Sequence, residues 1–124
     1  MSTIKGILGA ASSVNIDAEY DRIAHLLLEG EGIHSIFKTV RDLIVFTDFR
    51  LLFIDVTGIT GKRVETLSVP YKSVTGHRYI SAGPLDINSE IVLFLKGRPE
   101  VTLKLSNATA ISIHTLISHF EKFA

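Results

Sequence analysis

About seven short runs rich in valine, isoleucine, phenylalanine and threonine follow one another after Gly32. Their spacing of about eight to twelve residues is typical of antiparallel β-proteins, in which short turns join consecutive strands. The predicted strands lie near residues 33–39, 41–47, 50–56, 62–69, 71–81, 89–96 and 100–106. Parallel strands would need helical crossovers between them, and this block offers none. The sequence therefore predicts an α+β fold with one antiparallel block.

An amphipathic helix is predicted on each side of the strands. Apolar residues within 17–29 recur at the i, i+3, i+4, i+7 and i+8 positions of one helical face. The same spacing recurs within 113–120, in a final helix that begins at Asn107. It also indicates a short extra helix over residues 4–11. The predicted order is helix, strands, helix.

The length and composition predict a single globular domain. The chain has 124 residues, of which 46% are hydrophobic and 21% are charged, and this balance is that of an ordinary folded protein. We predict one domain over residues 1–124, with an N-terminal helical segment (1–31), the strands (32–106) and the C-terminal helix (107–124).

Charge and residue content exclude several functions. Thirteen basic residues balance thirteen acidic ones, so the protein as a whole has no field that attracts nucleic acid, and no nucleic-acid binding is predicted. The absence of cysteine excludes disulfides and thiolate metal sites. The five histidines lack the i, i+4 pair of a zinc-binding helix, so no metal or other cofactor is predicted. The first residues lack the apolar run of a signal peptide, and a cytoplasmic protein is expected.

The stretch VFTDFRLLFID, residues 45–55, predicts a β-hairpin with apolar side chains on both of its faces. A strand that faces water on one side alternates apolar and polar residues, and this stretch does not. Both faces must therefore be covered. One face is expected to pack into the core, and the other against the N-terminal helix or a neighbouring subunit.

Several short motifs follow one another along the chain in a characteristic order. They are Glu29–Glu31, Arg41-Asp42-Leu43, Phe46-Thr47-Asp48, Arg50-Leu51, Thr60-Gly61-Lys62, Ser68-Val69-Pro70-Tyr71-Lys72-Ser73 and Ala82-Gly83. In order and spacing they resemble the bacterial pleckstrin-homology (PH) domain family, formerly catalogued as a domain of unknown function, over essentially the whole chain. The resemblance implies a PH-like barrel or sandwich capped by the C-terminal helix, a ring-like homo-oligomer, and no known catalytic activity.

Self-association would absorb apolar surface that one small core does not obviously use. We predict that a subunit interface uses one face of the first helix and the two-faced hairpin. The residues are Tyr20, Ile23, Leu27, Leu28, Phe46, Phe49, Leu52 and Ile54. The sequence leaves open whether these side chains lie in that interface or in the core of one chain.

The function predicted from these features is a non-enzymatic, self-associating binding or scaffold module. Recognition of a protein or peptide through an open sheet edge needs no catalytic residues. The alternative is a peripheral membrane or anionic-ligand module. Its candidate residues are Lys62, Arg63, Lys72, His77 and Arg78, for which a solvated strand face is the simpler interpretation. The loop between the first two strands offers only Lys38 and Arg41, which argues against an inositol-phosphate site.

Two further patterns resemble catalytic or phosphate-binding sites. The segment Gly58-Ile59-Thr60-Gly61-Lys62-Arg63 has two residues between its glycines, whereas a P-loop has four, so we interpret it as a β-turn. Asp48, Asp55 and Asp86 would form a catalytic group only if the fold brought them together. We therefore predict that the protein is not an enzyme.

Overall fold

The computed structural model describes residues 12–39, 41–57, 62–81, 83–84 and 88–122. Two helices and eight strands lie in these ranges, together with single 3-10 turns at Ala24–Leu26 and Tyr71–Ser73. In chain order the elements are β1 (Ser12–Ser13), α1 (Ile16–Ile23), β2 (Ile33–Lys38), β3 (Leu43–Thr47), β4 (Arg50–Thr57), β5 (Arg63–Pro70), β6 (Val74–Ile80), β7 (Asn88–Leu95), β8 (Arg98–Ser106) and α2 (Asn107–Glu121).

The strands form two antiparallel sheets. Strands β1 to β5 form one sheet in sequential order, and β6 to β8 form the other. The seven predicted strands are confirmed, and so is the PH-like α+β fold with a helix at each end of the strand block. The two-residue strand β1, which pairs with β2, is an addition that is too short to show a sequence period. Among the described residues, no helix combines the length and apolarity needed to cross a lipid bilayer.

The first predicted helix was too long. It was expected over residues 17–29, whereas α1 ends at Ile23 and Leu27 has an extended backbone. The reason is tertiary, because Arg50 donates to the carbonyl of Leu26 (2.9 Å) and the amide of Leu28 donates to Glu31 (3.0 Å). These contacts engage backbone groups that another helical turn would use.

The predicted strand 71–81 also begins later than expected. Tyr71–Ser73 form a 3-10 turn, in which the Ser73 hydroxyl donates to the carbonyl of Pro70 (2.8 Å). The Tyr71 amide donates to the carbonyl of Phe49 (3.0 Å), which directs the ring inward. The predicted helix over 4–11 and turn over 58–61, together with Ala82 and Asp86, lie outside the described residues.

The main core lies between the two sheets and is closed by α2. The buried residues of β8 are Val101, Leu103 and Leu105, which alternate in the sequence with Thr102, Lys104 and Ser106, a pattern that predicts one buried and one solvent-facing side. One face of α2 adds Ala110, Ile113 and Ile117. The helix begins after Ser106, whose hydroxyl caps it by accepting a hydrogen bond from the Thr109 amide (3.4 Å). The C-terminal helix thus caps the sandwich, as expected.

A second apolar cluster covers the opposite face of the five-stranded sheet. Its buried members are Ile23, Ile36, Leu43, Val45, Leu52 and Ile54, and Val14, Ile16, Leu26, Leu27 and Ile33 pack around them. Glu19 of α1 accepts hydrogen bonds from Lys38 of β2 (3.0 Å) and from Arg22 (3.3 Å), which fixes the helix over the sheet. The second face of the β3–β4 hairpin is therefore covered by the N-terminal segment of the same chain.

Candidate functional site

An open groove of about 530 Å³ runs beside β6 near the C-terminal end of α2. Its lining residues are Lys72, Val74, Thr75, Gly76, His77 and Glu121. The backbone is accessible at the middle of this lining, because a β-carbon added at Gly76 would meet no atom within 4 Å. The groove therefore exposes main chain as well as charged and polar side chains.

The strand that forms this groove has one free edge. Among the described strands, β6 pairs only with β7. Its register shifts between Val74 and Gly76, and the side chain of the intervening Thr75 donates to the Phe94 carbonyl (3.1 Å). A strand paired on one side presents unpaired backbone donors and acceptors on the other. Such an edge can add a strand from another chain.

Two histidines join this strand to α2. Nε2 of His77 lies 2.8 Å from Nδ1 of His114, and Nδ1 of His77 lies 3.1 Å from Oε2 of Glu121. The ring of Tyr79 stacks on His114, with their centroids 5.2 Å apart. The side chain of His77 is 10% exposed. Within the described ranges, no three histidine or acidic residues are grouped so that they could hold a metal ion.

The sequence interpretation missed this constellation. His77 is 37 residues from His114 and 44 from Glu121, so no local motif links them. The only signal is that His114 and Glu121 stand seven residues apart in a predicted helix, and therefore on one face. Their partner on β6 becomes visible only when the helix is docked.

An aromatic stack supports the start of β6. Tyr71 stacks on Phe120 of α2, with ring centroids 4.2 Å apart, and its hydroxyl donates to the Thr47 carbonyl (2.7 Å). Burial, with a contribution from the charge of Asp48, raises the pKa of Tyr71. The neutral phenol therefore persists as a donor at any physiological pH, and it holds the Tyr71–Ser73 turn in place beside the groove.

A buried ion pair between Arg50 and Glu31 fixes the loop before β2. Arg50 donates through Nε and Nη2 to the two carboxylate oxygens of Glu31 (2.8 Å each), and through Nη1 to the hydroxyl of Ser68 (3.1 Å). The side chain of Glu31 is 1% exposed. Hydrogen bonding to Arg50 lowers the pKa of Glu31 to about 2, against the opposing effect of burial. Both residues belong to the motifs that carry the family resemblance, and the structure gives them a structural role.

Comparison with known proteins establishes the family. A family model described as "Bacterial PH domain" matches residues 2–122. The chain belongs to the bacterial PH domain family. A Bacillus subtilis (strain 168) relative, "Uncharacterized protein YjqA", is 47% identical over 97 residues, which cover 78% of each protein. "Uncharacterized protein YozO" of the same organism is 31% identical over 69% of this chain and 75% of its own length.

Solved structures show the same fold. A DUF1696 family protein with a pleckstrin-homology domain from Shewanella loihica PV-4 superposes with a TM-score of 0.81 at 31% identity, over 92% of this chain and 99% of its own. A pleckstrin-homology domain from Shewanella amazonensis SB2B gives a TM-score of 0.77 at 31% identity, over 91% and 93% of the two chains.

The five basic residues proposed for an anionic ligand do not form one cluster in this bacterial PH domain. Lys62 and Arg63 lie at the start of β5 and Lys72 follows its end, so the eight residues of the strand separate them by about 25 Å. His77 faces α2, whereas Arg78 lies over the Phe94 ring at 5.5 Å. Neighbouring residues of a strand point to opposite faces, and this divides the pair. Only Lys72 and His77 share the groove.

The eight residues proposed for a subunit interface are also divided. Ile23, Leu52 and Ile54 are buried in the second cluster, and Phe46 is buried in the main core. Leu27 is partly buried against the second cluster. The exposed members are Tyr20 (46%), Leu28 (62%) and Phe49 (42%). The interface stays a prediction, and these three side chains are the ones that the fold leaves accessible to another chain.

Of the three aspartates considered as a catalytic group, the structure describes Asp48 and Asp55, and each has a local role. Asp48 accepts a hydrogen bond from the Gly32 amide (2.7 Å), which closes the loop before β2. Burial, and then the neighbouring charges of Asp42 and Glu65, raise the pKa of Asp55. Asp42 is itself engaged by the Val56 amide (2.8 Å). These carboxylates organise turns and strand ends in the part of the chain that the structure describes.

Proposed function

We propose that this bacterial PH domain is a non-enzymatic binding module that adds an extended segment of a partner protein to the free edge of β6. The observation that carries the proposal is that one edge of β6, beside an open groove, pairs with no other described strand. Strand addition obtains affinity from main-chain hydrogen bonds and specificity from side-chain pockets. The family is generally non-catalytic, which agrees with a binding role.

The groove offers both parts of such a site. The free edge of β6 supplies backbone donors and acceptors, and Gly76 leaves the approach to them open. Lys72 at one end and Glu121 on the α2 side supply charges of opposite sign, which favour one orientation of a bound segment. The Tyr71–Phe120 stack holds the start of β6 against the end of α2, and these two elements border the groove.

A photo-crosslinking residue introduced at Lys72 tests this proposal. We expect it to capture an extended segment of another protein, identified by mass spectrometry of the crosslinked peptide. The synthetic peptide is then added to the isotope-labelled chain, and its amide shifts are expected to be confined to β6 and the end of α2. The matched control places the crosslinker at Lys104, an exposed lysine of β8. Shifts away from β6, or equal capture at Lys104, would contradict strand addition.

Self-association is the second candidate function, supported by a small apolar surface at one end of the domain. Leu28 and Phe49 are large, exposed and separated by the Arg50–Glu31 pair: the Phe49 ring lies 5.1 Å from the Arg50 guanidinium carbon, and the Leu28 amide donates to Glu31. The Arg50–Glu31 pair therefore contacts both segments that present this surface. Balanced net charge also leaves little long-range repulsion between copies.

The native mass of the protein, measured by light scattering across concentrations, tests self-association. We expect the wild-type chain to form a closed oligomer, and the Leu28→Ser, Phe49→Ser double variant to shift towards monomer because it loses apolar contact area. The control Val64→Ser removes an equally exposed apolar residue of β5. A monomeric wild type, or an oligomer unchanged in the double variant, would rule out this surface.

A further inference from the structure

A chain of hydrogen bonds ties the free-edge strand β6 to the last turns of α2. It consists of His77, His114 and Glu121, which we call the histidine latch. His77 contacts both partners, at 2.8 Å and 3.1 Å, and both partners stand on one face of α2. His77 and Glu121 also line the groove. The latch therefore sets how closely the end of α2 approaches the edge of β6.

The positions of the hydrogens follow from the chemistry of Glu121. An ionised carboxylate accepts hydrogen bonds and donates none, so Nδ1 of His77 must carry a hydrogen. The two nitrogens that lie 2.8 Å apart in the two imidazoles can share only one hydrogen between them. This arrangement is satisfied when both rings are neutral, and also when one ring holds an additional proton.

A second additional proton cannot be accommodated. With both rings cationic, an N–H of His77 would face an N–H of His114, so the bond is lost and two like charges stand in contact. We propose that this second proton releases the end of α2 from β6 and opens the groove. The release is a property of the latch itself, whereas its effect on a bound segment rests on the proposed function.

The surroundings of the latch determine how it responds to acid. The charged or titratable side chains that face it are Glu121 and His114 from α2, Tyr79 and His77 from β6, and Lys72 from the turn before β6. On β7, the residue opposite His77 is the uncharged Leu93. Histidine is the side chain whose charge normally changes between about pH 5 and 8, so we expect release in mild acid.

Hydrogen exchange of the free protein between pH 7.5 and 5 tests the latch. After correction for the intrinsic pH dependence of exchange, protection of amides in residues 115–122 is expected to fall roughly tenfold or more with the loss of the bond. Amides of β3 and β4 are expected to keep their protection, which separates local release from unfolding. In His114→Asn the side-chain amide occupies the position of Nδ1 without taking up a proton, so this response should disappear. The control His25→Asn replaces an exposed histidine of the Ala24–Leu26 turn and should respond like the wild type.

Two results would overturn the inference. Either the end of α2 stays equally protected across this pH range, or His114→Asn responds to acid as the wild type does. The exchange experiment contains no partner, so its outcome does not depend on strand addition. The coupling is tested separately by crosslinking from Lys72 at pH 7.5 and 5.5: capture should increase in the wild type but not in His114→Asn, and equal yields would overturn the coupling alone.

Discussion

Replacing Leu52 with glutamate is expected to remove a large part of the folding stability. Leu52 lies in β4, is 1% exposed, and packs in the second cluster between the sheet and the N-terminal segment. The substitution removes apolar contacts and places a carboxylate where the fold supplies no partner. Together these effects cost more than about 4 kcal/mol, which is a large part of the roughly 5–15 kcal/mol that stabilises a domain.

Urea denaturation followed by far-ultraviolet circular dichroism measures this effect. The matched control is Val64→Glu, which introduces the same charge at an exposed apolar position of β5 and is expected to change the free energy of unfolding by less than about 0.5 kcal/mol. If Leu52→Glu unfolds at the wild-type urea concentration, the second cluster is not packed as described. A folded variant with reduced native mass would instead place Leu52 in a subunit interface.

Replacing Arg50 with methionine is expected to destabilise the chain by about 3–5 kcal/mol. Arg50 makes two bonds to Glu31 and one each to the Leu26 carbonyl and Ser68. Methionine fills much of the volume but leaves the Glu31 carboxylate buried without its cation. The loss of stability comes mainly from the unpaired Glu31 carboxylate, because a complete buried ion pair is by itself only weakly stabilising.

The pH dependence of unfolding identifies the origin of this loss. In the wild type the pKa of Glu31 is lowered from 4.5 to about 2, so its contribution is complete above pH 4.5 and is lost as the pH falls towards 2. That contribution is roughly 3 kcal/mol. In Arg50→Met, unfolding experiments at pH 7 and pH 3 should show a much smaller loss of stability in acid than in the wild type.

The control Arg22→Met breaks the more exposed pair with Glu19 and should cost less than about 1 kcal/mol. Equal losses in the two variants would contradict a special role for Arg50.

The periodicity of apolar residues predicted an element well where one of its faces packs in the core and the other faces solvent. The alternation of β8 and the spacing in α2 identified buried residues correctly, because side-chain period follows directly from backbone geometry. Prediction failed where a distant residue competes for the backbone. Arg50 and Glu31 end the first helix early, and the inward-facing Tyr71 replaces the start of a predicted strand with a turn.

The candidate site was less predictable than the fold. The proposed basic cluster contained Lys72 and His77, which do line the groove, but it also contained residues from the far end of β5 and the opposite face of β6. The sequence does not record distances between elements. Basic residues that lie near one another in the sequence can therefore be far apart in the sheets. His114 and Glu121 were absent from the prediction because their partner His77 lies on another element, far from them in the sequence.

By itself, the sequence determined an antiparallel α+β domain with a terminal helix at each end, and the requirement that both faces of the β3–β4 hairpin be covered. These features follow from side-chain periodicity and turn residues, which act over a few positions of the chain. The tertiary structure alone decided that the N-terminal segment covers the second face, that β6 has a free edge among the described strands, and that two histidines meet beside it. Those outcomes depend on how elements pack across tens of residues, and no local pattern encodes that.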